Sequence, residues 1–141
     1  MPAIFDHFGV RFQYPENWTL EIGDGADGKE VTVYSPGDAF WFLSIHDCGE
    51  EPWELMDVVL HAMREIYDQL DFEVVEDSIA GQRLGGYNVN FYCLDLTNTT
   101  HIRAFQRGAI TYVMVWQGED REFNARVPVF RAIATSLIEH R

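Results

Sequence analysis

His46-Asp47-Cys48-Gly49-Glu50-Glu51 packs an imidazole, a thiol and three carboxylates into six positions. His46 and Cys48 stand two apart, the spacing that turns two side chains to one side of a strand. Together they could begin a site for a soft divalent ion such as zinc. Two ligands are not a site, and no second pair with ligand spacing occurs, so strand order would have to bring in His101. The segment therefore reads as a polar strand end, with no metal expected.

Ser44 and His46 share a strand face in the same way. A hydroxyl beside an imidazole is half of a nucleophilic centre. Acyl transfer also needs an acid that orients the imidazole and an exposed nucleophile on a sharp turn. Asp47 points to the other face and Ser44 falls inside a strand pattern, so the two read as a core pair. Asp24-Gly25-Ala26-Asp27-Gly28 lacks the alternating acids and closing glutamate of a calcium loop and reads as a surface turn. No phosphate-binding glycine loop, dinucleotide fingerprint or H-E-x-x-H helix occurs. No cofactor is called for, and the chain is expected not to be an enzyme. A hydrolase or metal-dependent enzyme using His46 is the least favoured alternative.

Trp53 opens a helix beside Glu50, Glu51 and Glu54. An aromatic rimmed by acids suits a basic or amphipathic partner. The competing reading is a staple that packs the helix start onto a sheet.

The elements that must position these residues follow from composition and period. The 141 residues are 47% hydrophobic and 14% aromatic, which excludes a disordered chain and suits one domain over 1–141. No apolar run is long enough for a membrane-spanning helix. Met1-Pro2-Ala3-Ile4-Phe5-Asp6-His7 has no basic start followed by a long apolar stretch, so the cytoplasm is expected. Net charge is −13, which argues against nucleic-acid or anionic-membrane partners and allows a basic protein partner. Residues 47–77 hold eleven acids against Arg64 alone, while 78–141 hold five acids and seven arginines. The acidic middle is either a docking surface or a solvated helix face. Cys93 is expected to be a small buried hydrophobe.

Val10, Phe12 and Tyr14 alternate with polar residues up to Pro15, and Trp18, Leu20 and Ile22 make the next strand. Val31 and Val33 mark a third. Segments 39–46 and 109–116 are apolar on both faces, so both should be covered on both sides. Two further strands are expected over Tyr87–Leu96 and Thr99–Arg107, with Thr97-Asn98 as their turn. Pro52 suits a first helical position, and an apolar stripe predicts a helix over Trp53–Leu70 with Glu54, Asp57, His61, Glu65 and Asp68 on the outer face. A second helix should fill the C-terminus, broken near Asn124–Val127 by Pro128. These elements make an α+β fold: an antiparallel sheet of about six to eight strands flanked by helices on both faces, an α/β/α sandwich.

Gly9-Val10-Arg11-Phe12-Gln13-Tyr14-Pro15-Glu16-Asn17-Trp18 matches a "G-V-x-F-x-Y-P-x-x-W" opening. With the helix over 53–70, the Ala80-Gly81-Gln82 step after it and the closing Ala134-Thr135-Ser136-Leu137-Ile138, the chain resembles the PsbP-like superfamily. That group includes the photosystem subunit PsbP, Mog-type Ran-binding proteins, DcrB and Eag-type effector chaperones. The resemblance implies the fold, and it implies a non-catalytic accessory, binding or chaperone role. It brings no catalytic residues. Gly9, Pro15 and Trp18 are expected to be structural, a turn and a buried indole.

The expected function is therefore binding of a protein partner through an acidic face carrying Glu50, Glu51, Trp53, Glu54, Asp57 and Asp68. The alternative is a chaperone, with a homodimer as its expected state, that shelters an apolar segment of a client.

Overall fold

The computed structural model describes residues 1–23 and 29–140. The chain runs β1 (Ala3–His7), β2 (Val10–Tyr14), β3 (Thr19–Gly23), β4 (Glu30–Tyr34), β5 (Phe40–His46), α1 (Pro52–Ile66), β6 (Leu70–Ile79), β7 (Gln82–Cys93), β8 (Leu96–Arg107), β9 (Ile110–Glu119) and α2 (Asp120–Glu139). The turn expected over Asp24–Gly28 lies outside the described residues.

Strands β3 to β9 form one seven-stranded antiparallel sheet in the order β3-β4-β5-β9-β8-β7-β6, and β1 and β2 form a separate hairpin. One face of the large sheet carries α1 against β7, β8 and β9, and the other carries α2, which also packs on β2. Two cores result. Trp41, Leu43, Met114 and Trp116 meet Phe130, Ile133 and Leu137 of α2, together with Phe12 and Trp18. Val89, Ile102, Val113 and Val115 meet Met56, Leu60 and Met63 of α1. The α/β/α sandwich is thus the observed architecture.

Local chemistry explains the connections. Four two-residue turns join antiparallel neighbours, and the favoured geometries need positive φ at one or both central positions. Phe8-Gly9, Ala80-Gly81 and Leu94-Asp95 have it at both, and Gly108 at the first. Gly9 therefore does the turn work expected of it. Trp18, 6% exposed, packs edge-on to Phe130 at 5.9 Å. Ser136 of the closing motif accepts the Gln13 backbone N–H at 2.9 Å, so the opening and closing motifs touch.

Five expectations are corrected. The first helix stops at Ile66, where Tyr67 turns to extended backbone and stacks on Phe91 at 4.1 Å; Leu70 then opens a strand opposite Phe91. The β7–β8 turn is Leu94-Asp95, because β7 runs on to Cys93 and β8 starts at Leu96. Cys93 is exposed, since this hairpin tip projects beyond the helices' cover. Pro128 leaves α2 unbroken. It lies on the exposed side, where the Asn124 carbonyl it strips of a donor meets water, while Phe123 and Phe130 anchor both halves to the sheet. Finally, β9 is buried on both faces but β5 is not: Phe40 and Phe42 stay half-buried, because α1 lies to one side of them.

Candidate functional site

The incomplete cover over β5 opens a cleft of about 370 Å³ between α1 and the β4–β5 ladder. Phe42, Leu55, Val58, Val59 and Val113 make its apolar lining, and Ser44, His46, Lys29 and Glu30 supply polar groups. Strand period explains the selection. Phe42, Ser44 and His46 alternate onto the α1 face, while Leu43 and Ile45 go into the α2 core.

Ser44 Oγ lies 2.9 Å from His46 Nε2. The other ring nitrogen of His46, Nδ1, lies 3.3 Å from Oε2 of Glu50. Acid, imidazole and hydroxyl thus stand in a line, each within reach of the next. The loop after β5 holds the acid in place. Gly49 adopts φ +72° and its N–H bonds the Ala109 carbonyl at 2.9 Å, which folds residue 50 back toward the strand end. The Cys48 N–H donates to Glu50 Oε1 at 3.0 Å, and the Thr111 hydroxyl donates to the Glu50 carbonyl. Sequence reasoning placed Ser44 and His46 together but missed Glu50 as their acid; Ser44 is buried as that reading expected, while His46 is half-buried and the two form part of the cleft wall. The available signal was glycine at 49, a residue that permits the reversal.

The remaining predicted residues separate around α1. Glu51 is the N-cap and accepts the Trp53 N–H at 3.2 Å. Trp53 lies half-buried with its ring edge-on to Tyr87 at 5.4 Å. Glu54 is exposed in the first turn, and Asp57, also exposed, accepts the Tyr87 hydroxyl. Asp68 is exposed in the link to β6, beside the β7–β8 tip. Among the described residues Glu51, Glu54, Asp57, Asp68 and Asp71 form no ion pair. Lys29 pairs with Asp47 at 2.9 Å and holds its carboxyl below the usual carboxylate range. His61, on the outer face as expected, lies 3.1 Å from Glu65.

The metal idea gains no ligands. Among the described residues no three His, Cys, Asp or Glu side chains are placed to share an ion. His101 sits on β8, on the opposite face of the sheet from His46, against Phe123 at 4.8 Å. Its neighbour Arg103 is buried and donates to Asp77 at 2.8 Å and to Asn88 at 2.8 Å. Arg131 of α2 also clamps Asp77, at 3.1 Å through both amino groups. This network ties α2 to the edge strand β6.

No family model matches the chain, and no curated protein matches it. Solved structures do. Cyanobacterial PsbP (CyanoP) from Synechocystis sp. PCC 6803 superposes with a TM-score of 0.62 at 12% identity, over 96% of this chain and 90% of that one. This chain has the PsbP-like fold. The Saccharomyces cerevisiae Ran-binding protein Mog1p shares that fold, with a TM-score of 0.59 at 10% identity over 99% and 91% of the two chains. LpqN of Mycobacterium tuberculosis, a protein involved in cell envelope biogenesis, matches with a TM-score of 0.52 at 9% identity over 94% and 87%. The PsbP-like fold is thus present in proteins with different roles, and at these identities it is the fold alone that is shared.

Proposed function

We propose that this chain is an accessory protein that binds a protein partner through the acidic flank of α1 and its two ends. The observation that carries the reading is a run of exposed carboxylates, Glu51, Glu54, Asp57 and Asp68, none of which forms an ion pair among the described residues. Such a field speeds encounter with a positively charged surface and fades as salt rises. That Mog1p is a Ran-binding protein supports a protein as the partner class. Trp53 contributes indirectly: packed on Tyr87, it fixes the helix start that carries Glu50, Glu51 and Glu54.

A second reading has its own observation. At the far end of α1, Ile66 is 70% exposed, and the β7–β8 tip presents Tyr92, Leu94 and Leu96. Leu94 is 91% exposed and held at φ +52°. An apolar residue in a turn geometry that favours Asn or Gly suits a contact with an apolar segment, as a chaperone would make. The two readings separate in one experiment. Protein isolated from its host is weighed by native mass spectrometry to identify what accompanies it, and binding of that protein is then followed across a salt series. The acidic reading expects Glu54→Lys with Asp68→Lys to slow association about 10-fold or more at low salt. The apolar reading expects indifference to both charge reversal and salt, and a loss with Leu94→Asn. Association unchanged by the reversal at every salt concentration rejects the acidic flank.

A further inference from the structure

The cleft under α1 carries chemistry that the binding role does not use. We propose that Ser44, His46 and Glu50 form a nucleophilic centre that takes an acyl group from carboxylic esters with a short apolar acyl chain. The order of atoms is the one this chemistry requires. The hydroxyl faces Nε2 at 2.9 Å and the carboxylate faces Nδ1 at 3.3 Å, so the acid fixes the ring and leaves Nε2 to receive the hydroxyl proton. Glu50 is itself fixed from two sides, by the Cys48 N–H on Oε1 and by its own carbonyl, which accepts the Thr111 hydroxyl. The acyl chain has a place to go: the apolar lining of Phe42, Leu55, Val59 and Val113 forms the same cleft of about 370 Å³.

The step balances with water as the only co-reactant. Ser44 Oγ attacks the ester carbonyl carbon as its proton passes to His46 Nε2. The tetrahedral intermediate collapses, the C–O bond to the alcohol breaks, and the proton on Nε2 goes to the departing alkoxide. Water then loses a proton to His46 and attacks the Ser44 ester, releasing the carboxylic acid and restoring the hydroxyl. Ser44 is an inner-strand residue between β4 and β9, so its backbone donors serve the sheet. The Lys29 ammonium is held by Asp47 at 2.9 Å, so the carbonyl oxygen gains no aimed donor and turnover is slow. With an activated ester, whose leaving group is better than the Ser44 alkoxide, acylation outruns hydrolysis and the acylated protein accumulates. Ser44 and His46 are the catalytic residues and Glu50 a positioning residue. This inference is independent of the partner-binding reading.

The test uses the full chain with p-nitrophenyl butyrate, and separately with diisopropyl fluorophosphate. Expected are a burst of p-nitrophenolate close to one per protein, a gain of one butyryl group in the intact mass, and both adducts mapped to Ser44. Ser44→Ala abolishes the burst and His46→Ala lowers the labelling rate about 100-fold or more. Glu50→Gln lowers it while Glu50→Asp restores part, which distinguishes orientation of the ring from simple support of the loop. Thermal melts of each variant report folding. Adducts on Lys29 or Cys48 in place of Ser44, an unlabelled wild-type protein, or equal rates in wild-type and His46→Ala protein each overturn the proposal. The wild-type mapping decides it even if a variant does not fold.

Discussion

The Trp53 ring lies directly against Gly85: a Cβ at position 85 would come to 2.5 Å from the indole Cζ2. The glycine is therefore a recess on β7 cut to receive the helix start. Gly85→Ala forces the ring out of that recess. It should lower unfolding free energy by about 1–3 kcal/mol, the usual cost of overpacking, measured by urea titration. An unchanged midpoint would show that Trp53 is loosely held and free to serve a partner.

Trp18 is predicted to be a structural anchor. It is 6% exposed, and its backbone N–H donates to the Pro15 carbonyl at 3.0 Å. Trp18→Ala removes a buried aromatic and its contact with Phe130, and should cost about 3–5 kcal/mol. A loss below about 1 kcal/mol in the same titration would place the indole outside the core.

Acid should weaken the fold in two stages. Burial pushes the His101 imidazole down to about 4, with the Arg103 charge adding to it. Between pH 6.5 and 4 the unfolded chain then binds a proton that the folded chain refuses, so stability falls as pH drops through that window. His101→Phe should flatten this limb. At lower pH a second limb belongs to Asp77. Burial raises its carboxyl, but hydrogen bonds from Arg131 and Arg103 outweigh burial and hold it well below the usual range. Its contribution is present above the ordinary carboxylate pKa and is lost as pH falls toward the depressed one. Asp77→Ala strands Arg103 as a buried unpaired charge and should cost about 3–5 kcal/mol near neutral pH. Denaturant midpoints measured from pH 7 to 4 check the first limb, and continuing the series below pH 2 checks the second.

At the alkaline end, Tyr87 should titrate late. The hydrogen bond it donates to Asp57 pushes its phenol up to about 12, with burial adding to the shift. Since the neutral phenol is the favoured form, this contribution is complete below pH 10 and lost between 10 and 12. Ultraviolet titration should resolve the late phenolate, and Asp57→Asn should return it toward 10. It also follows that Asp57 makes a poor choice for a surface charge reversal.

The sheet and both helices were readable because their signals are periodic. Two-sided apolar character at β9 forecast burial on both faces, and the stripe of Met56, Leu60 and Met63 forecast the α1 contact. The errors fall where two patterns overlap or where partners are distant in sequence. Tyr67 and Leu70 continue the helical stripe yet also suit the start of β6, and only the pairing of Leu70 with Phe91 decides between them. Strand β6 itself was hidden by its acids. Asp71 and Glu73 face away from α1, and Asp77 is tolerated because Arg103 and Arg131 arrive from other elements. The Leu94-Asp95 turn lacks the Asn or Gly that announces such turns. For the candidate site, the i, i+2 relation of Ser44 and His46 was visible. The return of Glu50 was not, because it depends on a left-handed Gly49 held by Ala109 of another hairpin.

The β1–β2 hairpin shares no ladder with the seven-stranded sheet and is held by side-chain packing, with Phe12 against Trp41 at 4.9 Å, and by Ser136 of α2. It is therefore a flap that can lift while every strand of the main sheet keeps its neighbours. Lifting it would unroof Trp41, whose burial makes it a reporter of that event. The first amides to lose protection in native-state exchange should then be those of residues 3–14, at an opening energy below that of global unfolding. A protease cutting within this hairpin would sample that local opening rather than the stability of the whole molecule.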